Sequence, residues 1–148
     1  MNDTSPADPT EMNPFRDLGG EAGVRALVDD FYDRMHTSPA ASLIRAMHAE
    51  DLSKMRERLA LFLCGWLGGP PLHTERYGPL CMHTAHAPYP IGIEARDQWM
   101  ECMVAALEQR ELEDPLREAL IAAFSRIADM LRNEPEDAAI DTNSKDGN

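Results

Sequence analysis

The apolar residues of this chain recur at intervals of three and four, and almost nowhere at intervals of two. Val24, Leu27, Val28, Phe31, Tyr32 and Met35 make the first such run, an amphipathic helix of about four turns. Gly19-Gly20 marks its start. Ser38-Pro39 marks its end, because the residue before a proline is pushed out of the helical region. A short segment, Ala40 to His48, follows. Leu52, Met55, Leu59, Phe62, Leu63, Trp66 and Leu67 line one face of the next helix, with Lys54, Arg56 and Glu57 off that face. Gly68-Gly69-Pro70-Pro71 stops it, and residues 70–80 read as a loop. A short helical piece runs from about Pro79 to Ala87, ended by Pro88 and Pro90. Two long helices close the body. One carries Ile93, Trp99, Met100, Met103, Val104 and Leu107. The other begins near Pro115, a good first-turn residue, and carries Leu116, Leu120, Ile121, Phe124, Ile127 and Leu131. Only Tyr89-Pro90-Ile91 hints at a strand, and its flanking prolines argue against one. The expectation is an all-α domain with about five substantial helices.

A chain of 148 residues is long enough for one domain with a real hydrophobic core. Its formal charge is −12, which disfavours binding to a phosphate backbone, since that needs clustered Lys and Arg. No run approaches the roughly 20 apolar residues of a membrane span. The charge is concentrated at the ends. Residues 1–13 carry −3 and residues 134–148 carry −4, and both stretches are rich in Asp, Asn, Ser, Thr and Pro. They read as disordered acidic tails around a folded unit over 14–133. The first thirteen residues lack the apolar core of a signal peptide. The three cysteines, Cys64, Cys81 and Cys102, form no CxxC pair. Reduced thiols in a cytoplasmic protein are the simplest reading.

No phosphate-binding loop, dinucleotide fingerprint, nucleophile elbow or HExxH motif is present. Chemistry must therefore come from His, Cys, Tyr, Trp, Met and the carboxylates. The densest cluster is Cys81-Met82-His83-Thr84-Ala85-His86-Ala87-Pro88. His83 and His86 share a helical face, which with Cys81 admits a zinc site; the commoner outcome for such histidines is capping or packing. Pro88 ends the helix just after His86. Upstream carbonyls are then free to fix the imidazole tautomer through one ring nitrogen, leaving the other suited to a metal. Tyr32 and Trp99 lie on apolar faces, each with a polar handle that wants a partner when buried. His36, His48 and His73 read as surface, capping or loop residues. Cys64 and Cys102 read as inert buried thiols, and most methionines as packing residues.

In order and identity these residues resemble the truncated (2-on-2) haemoglobins, most closely their second group. The similarity covers about residues 14–135. It is carried by Leu18-Gly19-Gly20, Phe31-Tyr32, Arg58-Leu59 with Phe62-Leu63, and Gly68-Gly69-Pro70-Pro71. The run His86-Ala87-Pro88-Tyr89-Pro90-Ile91, then Arg96-Asp97-Gln98-Trp99 with Cys102-Met103, and finally Asn133-Glu134-Pro135 complete it. The resemblance implies a 2-on-2 helical sandwich around haem b. It makes His86 the proximal iron ligand, Tyr32 and Trp99 distal hydrogen-bond donors, and His48 a third distal residue or a possible sixth iron ligand. Met47 competes with His48 for that place, since the register between Tyr32 and His48 is uncertain by one residue. Met55 and Leu59 would face the iron and Phe62 would pack on the haem plane. Arg58 would meet a propionate. Ala85 departs from the arginine usual before the proximal histidine, and His73 stands where a tyrosine is common; His73 and His83 are candidates to replace those contacts.

The expected function is reversible binding of oxygen, nitric oxide, carbon monoxide or similar ligands. A bound diatomic carries partial negative charge, so donors in a dry pocket slow its release. Oxygen scavenging, nitric-oxide oxidation and peroxide chemistry all remain open, and any turnover would need a separate reductase. The iron could instead be six-coordinate at rest, making a redox or sensing module. A small zinc-binding helical domain built on Cys81, His83 and His86 is the remote alternative. Either a monomer or a homodimer is compatible with the sequence.

Overall fold

The computed structural model describes residues 13–134; the two acidic tails fall almost wholly outside them. Within that span Asn13 already belongs to the fold. Its side chain accepts from the Arg16 backbone N–H at 3.0 Å and caps α1, Pro14–Asp17. The chain then turns through Gly19 and Gly20, both at positive φ, into α2, Gly20–Thr37. All six apolar residues of the first run are buried there.

Ser38 is extended, and its hydroxyl caps a 3-10 turn over Pro39–Ala41. That turn leads into α3, Ser42–Ala46. The second long helix is α4, Ser53–Trp66. Asp51 accepts from the Ser53 N–H and hydroxyl just before it. The helix ends where Gly68 turns left-handed and Gly69 N–H returns to the Cys64 carbonyl.

Residues 70–80 are not all loop: Leu72–Tyr77 form a helix, α5. Pro70 and Pro71 stop α4 yet suit the entry of a new helix, and α5 is held by packing back on α4. The short piece before Pro88 is α6, Met82–His86. Two long helices follow, α7, Ile93–Glu108, and α8, Asp114–Met130. Among the described residues four long helices and four short ones therefore replace the expected five, and no strand occurs.

Helix α2 packs on both α4 and α7, and α7 packs on α8. The two pairs, α2 with α4 and α7 with α8, make the layers. Phe31, Leu63, Met103, Leu107 and Phe124 fill the space between them, each at most 2% exposed. The apolar stripe of α4 is wider than this core. Ala60, Leu63 and Cys64 are buried in it, whereas Leu59 and Phe62 are only half-buried and Met55 is 37% exposed. Apolar side chains left half-covered on one helix flank are what a cleft for an apolar group requires.

Candidate functional site

Helix α6 places His86 at its last turn, and Pro88 prevents any continuation. The imidazole Nδ1 lies 2.8 Å from the Met82 carbonyl oxygen. A carbonyl only accepts, so Nδ1 carries the proton and donates. The neutral ring then holds its lone pair on Nε2. His86 is half-buried, as a ligand presented at the rim of a cleft must be. The tautomer lock expected from the sequence is thus present.

A string of aromatic rings crosses the layers. The Tyr32 ring meets Phe31 edge-on at 4.9 Å, Phe31 meets Trp99 at 5.1 Å, and Trp99 meets Phe124 at 5.8 Å. Tyr32 is 3% exposed, and burial pushes its hydroxyl far above the ordinary phenol value, with Arg56 pulling weakly the other way. The hydroxyl is therefore protonated at every physiological pH. Arg56 is held over the Tyr32 ring at 5.9 Å by its ion pairs to Asp29 and Asp33. No described protein group hydrogen-bonds the Tyr32 hydroxyl or the Trp99 indole N–H.

The ring against Tyr32 is that of His48, edge-on at 5.8 Å, while Met47 packs on the core. His48 Nδ1 lies 2.8 Å from the Ile44 carbonyl, so it too is the protonated nitrogen. A neutral His48 offers a lone pair from Nε2, so it accepts or ligates but does not donate there.

A second cluster lies where α4 meets α5. The Arg58 guanidinium stacks on the Tyr77 ring at 4.3 Å, and His73 sits between Phe62, at 6.4 Å, and Tyr77, at 5.1 Å. His73 is no surface loop residue: it is 8% exposed because α5 turns it inward. Its Nδ1 is buried without a partner, and burial followed by the Arg58 charge holds its pKa below the ordinary value. Ser53, Lys54, Glu57, Arg58, Arg76 and Tyr77 line an open cleft of about 310 Å³, in which Glu57 pairs with Arg76.

Cys81, His83 and His86 do not converge. No group of three His, Cys, Asp or Glu among the described residues could hold a metal ion between them, and His83 points to solvent. Cys64 and Cys102 are wholly buried, and burial pushes the Cys102 thiol up to about 11, so both are inert as expected. Lys54, Arg56 and Tyr77 were not singled out by sequence. Their partners come from other elements, and no spacing announces them.

A polar lock on one histidine, a buried and a half-buried donor with no protein partner and a cluster of cations where α4 meets α5 together describe a haem-binding helical protein. A family model of bacterial-like globins matches residues 13–133. The group 2 truncated hemoglobin YjbI of Bacillus subtilis is 34% identical over 83% of this chain and 90% of its own. The cold-adapted truncated hemoglobin of the Antarctic marine bacterium Pseudoalteromonas haloplanktis superposes with a TM-score of 0.81 at 37% identity, over 84% of this chain and 100% of that one. The group II 2-on-2 hemoglobin of Agrobacterium tumefaciens gives 0.80 at 35%, over 85% and 98%. The chain belongs to the bacterial-like globins, and within them to the group II truncated haemoglobins.

Globins bind haem iron, and the residues here fit that group. The Nε2 lone pair of His86 suits an axial ligand. The orphaned Nδ1 of His73, beside Arg58, suits a carboxylate. Among the described residues no helix is long and apolar enough to cross a membrane.

Proposed function

We propose that this chain binds oxygen and other diatomic ligands reversibly at haem b, with His86 as the axial ligand and Tyr32 and Trp99 as the donors to the bound gas. Haem, once bound, would supply an iron able to take a small ligand. The observation that carries the reading is the 2.8 Å bond from His86 Nδ1 to the Met82 carbonyl, which leaves Nε2 bare for a metal. Tyr32 and Trp99 hold their protons in a dry layer, where a hydrogen bond to a ligand gaining negative charge is strong. Phe62, Leu59 and Met55 offer the apolar wall. Arg58, steadied by Tyr77, and the buried His73 take the propionates in place of the arginine absent at Ala85.

No flavin or nicotinamide motif accompanies these residues, so nitric-oxide oxidation or peroxide turnover would draw electrons from a separate reductase. One observation favours a second reading. The bare Nε2 of His48 beside Tyr32 is chemically able to ligate iron, which would make the resting protein six-coordinate. A resting ferric spectrum that His48→Ala leaves unchanged would exclude it.

The main test is replacement of His86 by glycine. The variant is expected to lose stable haem binding and regain it when imidazole is supplied in solution. Tight haem binding by His86→Gly without imidazole would overturn the assignment.

A further inference from the structure

The helix that carries His86 is weakly anchored by its own side chains. It has five residues and buries none of them. Two of the next four residues, Pro88 and Pro90, have no N–H to tie the chain down. The anchor comes from the far end of the molecule, just past α8. Asn133 donates from Nδ2 to the Tyr89 carbonyl at 2.7 Å and to the His86 carbonyl at 3.3 Å. Its Oδ1 accepts from the Ile91 N–H at 2.8 Å. Backbone N–H groups of Asn133 and Glu134 both reach the Ile91 carbonyl, at 2.9 and 3.2 Å. Glu134 closes the seam by lying against Gly92, where an added Cβ would meet its carboxylate at 3.2 Å.

We infer that Asn133 is a positioning residue for the iron ligand: its side-chain amide fixes the backbone of His86 to Ile91 and so sets the height and tilt of the imidazole. The side chain has two amide protons and one carbonyl oxygen, and each is used within this one loop. No other residue type of that size both donates twice and accepts. The Met82 carbonyl fixes which nitrogen of His86 is bare; Asn133 fixes where that nitrogen stands. The two contacts act on the same imidazole from opposite ends of its residue, one on the ring and one on the main chain. Because α8 packs on α7, which carries Trp99, the clamp also ties the axial histidine to the layer holding a distal donor.

This inference rests on His86 being the axial ligand, and the test separates the two. Resonance Raman of the ferrous, ligand-free holoprotein reads the iron–histidine stretch, and transfer of haem to excess apomyoglobin reads its release rate. Amide exchange at Ile91 in the same holoprotein reads the clamp itself. Asn133→Asp keeps the acceptor for Ile91 but sets a carboxylate against two carbonyls. Asn133→Gln keeps both functions one methylene further out.

The expected result is a shifted or broadened iron–histidine band in Asn133→Asp, with haem released about 10-fold faster, the size of one lost hydrogen bond. Asn133→Gln should fall between it and the parent, with faster exchange at Ile91. A parental band and release rate in both variants would overturn the inference, whatever happened to melting temperature, because a purely structural role moves stability alone. A band that persists in His86→Gly without imidazole would instead overturn the axial assignment. If Asn133→Asp does not fold, the graded response of Asn133→Gln decides the matter.

Discussion

Tyr32 and Trp99 both pack on the Phe31 ring from different helices, and each keeps a proton that no described protein group uses. Their value to a bound ligand is that of a hydrogen bond in a dry site, about 1–2 kcal/mol each. Tyr32→Phe and Trp99→Phe should therefore each speed oxygen dissociation by roughly tenfold, measured by stopped flow, with less than the product of the two in the double variant. Unchanged rates in both single variants would remove them from the site. His48 is different in kind, because its Nδ1 is tied to the Ile44 carbonyl and only its Nε2 is left to face outward.

His73 carries a pH signature. Burial and Arg58 hold its folded-state pKa below the unfolded value, so the unfolded chain takes the proton first. The stability contributed by neutral His73 is complete above about pH 6.5 and is lost as pH falls through that value. In haem-free protein, His73→Phe should flatten the loss of stability between about pH 7 and 5, followed by urea denaturation. An identical acid profile would contradict the burial of a neutral imidazole.

At this scale the sequence was legible where a residue type and its neighbours settle the matter. A histidine ahead of Pro88 reveals its free lone pair, and Tyr32 and Trp99 reveal themselves by standing on apolar faces. His73 did not, because nothing within 70–80 says which way α5 turns.

Among the elements, the long helices were readable and the joints between them less so. Periodicity marks α2, α4, α7 and α8 because each buries a continuous stripe. The short helices α1, α3, α5 and α6 owe their existence to caps, prolines and neighbours, and α5 was missed for that reason. Asn133 was missed as an anchor because its partners lie 42 to 47 residues away.

The joint between α1 and α2 shows how little freedom such places have. A Cβ at Gly23 would stand 1.7 Å from the Leu18 carbonyl oxygen, a backbone atom that has no rotamer to yield. Gly23→Ala should cost at least about 2 kcal/mol, enough to be obvious in chemical denaturation, since overpacking against backbone has no cheap relief. A variant as stable as the parent would show that the first turn of α2 is looser than drawn. The ion pairs of Arg56 with Asp29 and Asp33 tie α4 to α2 at the surface and add little stability themselves. Their use is to hold a cation over the Tyr32 ring.

In the whole molecule, two helix pairs close a core on one side and leave the flank of α4 half-covered on the other. That imbalance is the physical case for a large apolar cofactor: Met55, Leu59 and Phe62 stand where a core residue would be buried and a surface residue would be polar. The 2-on-2 arrangement was legible from the order of its motifs, whereas the cationic rim was only half so. Arg58 was named from sequence, but its stacking on Tyr77 and the burial of His73 depend on how α5 folds back.

The account turns on one claim, that this fold holds haem whose iron takes up a gas. An absorption spectrum of the purified protein, ferric, then reduced with dithionite, then under carbon monoxide, tests it most directly. The account predicts an intense haem band that shifts when carbon monoxide is added. A colourless protein that takes up no added haemin, or a haem band that carbon monoxide leaves in place, would contradict it.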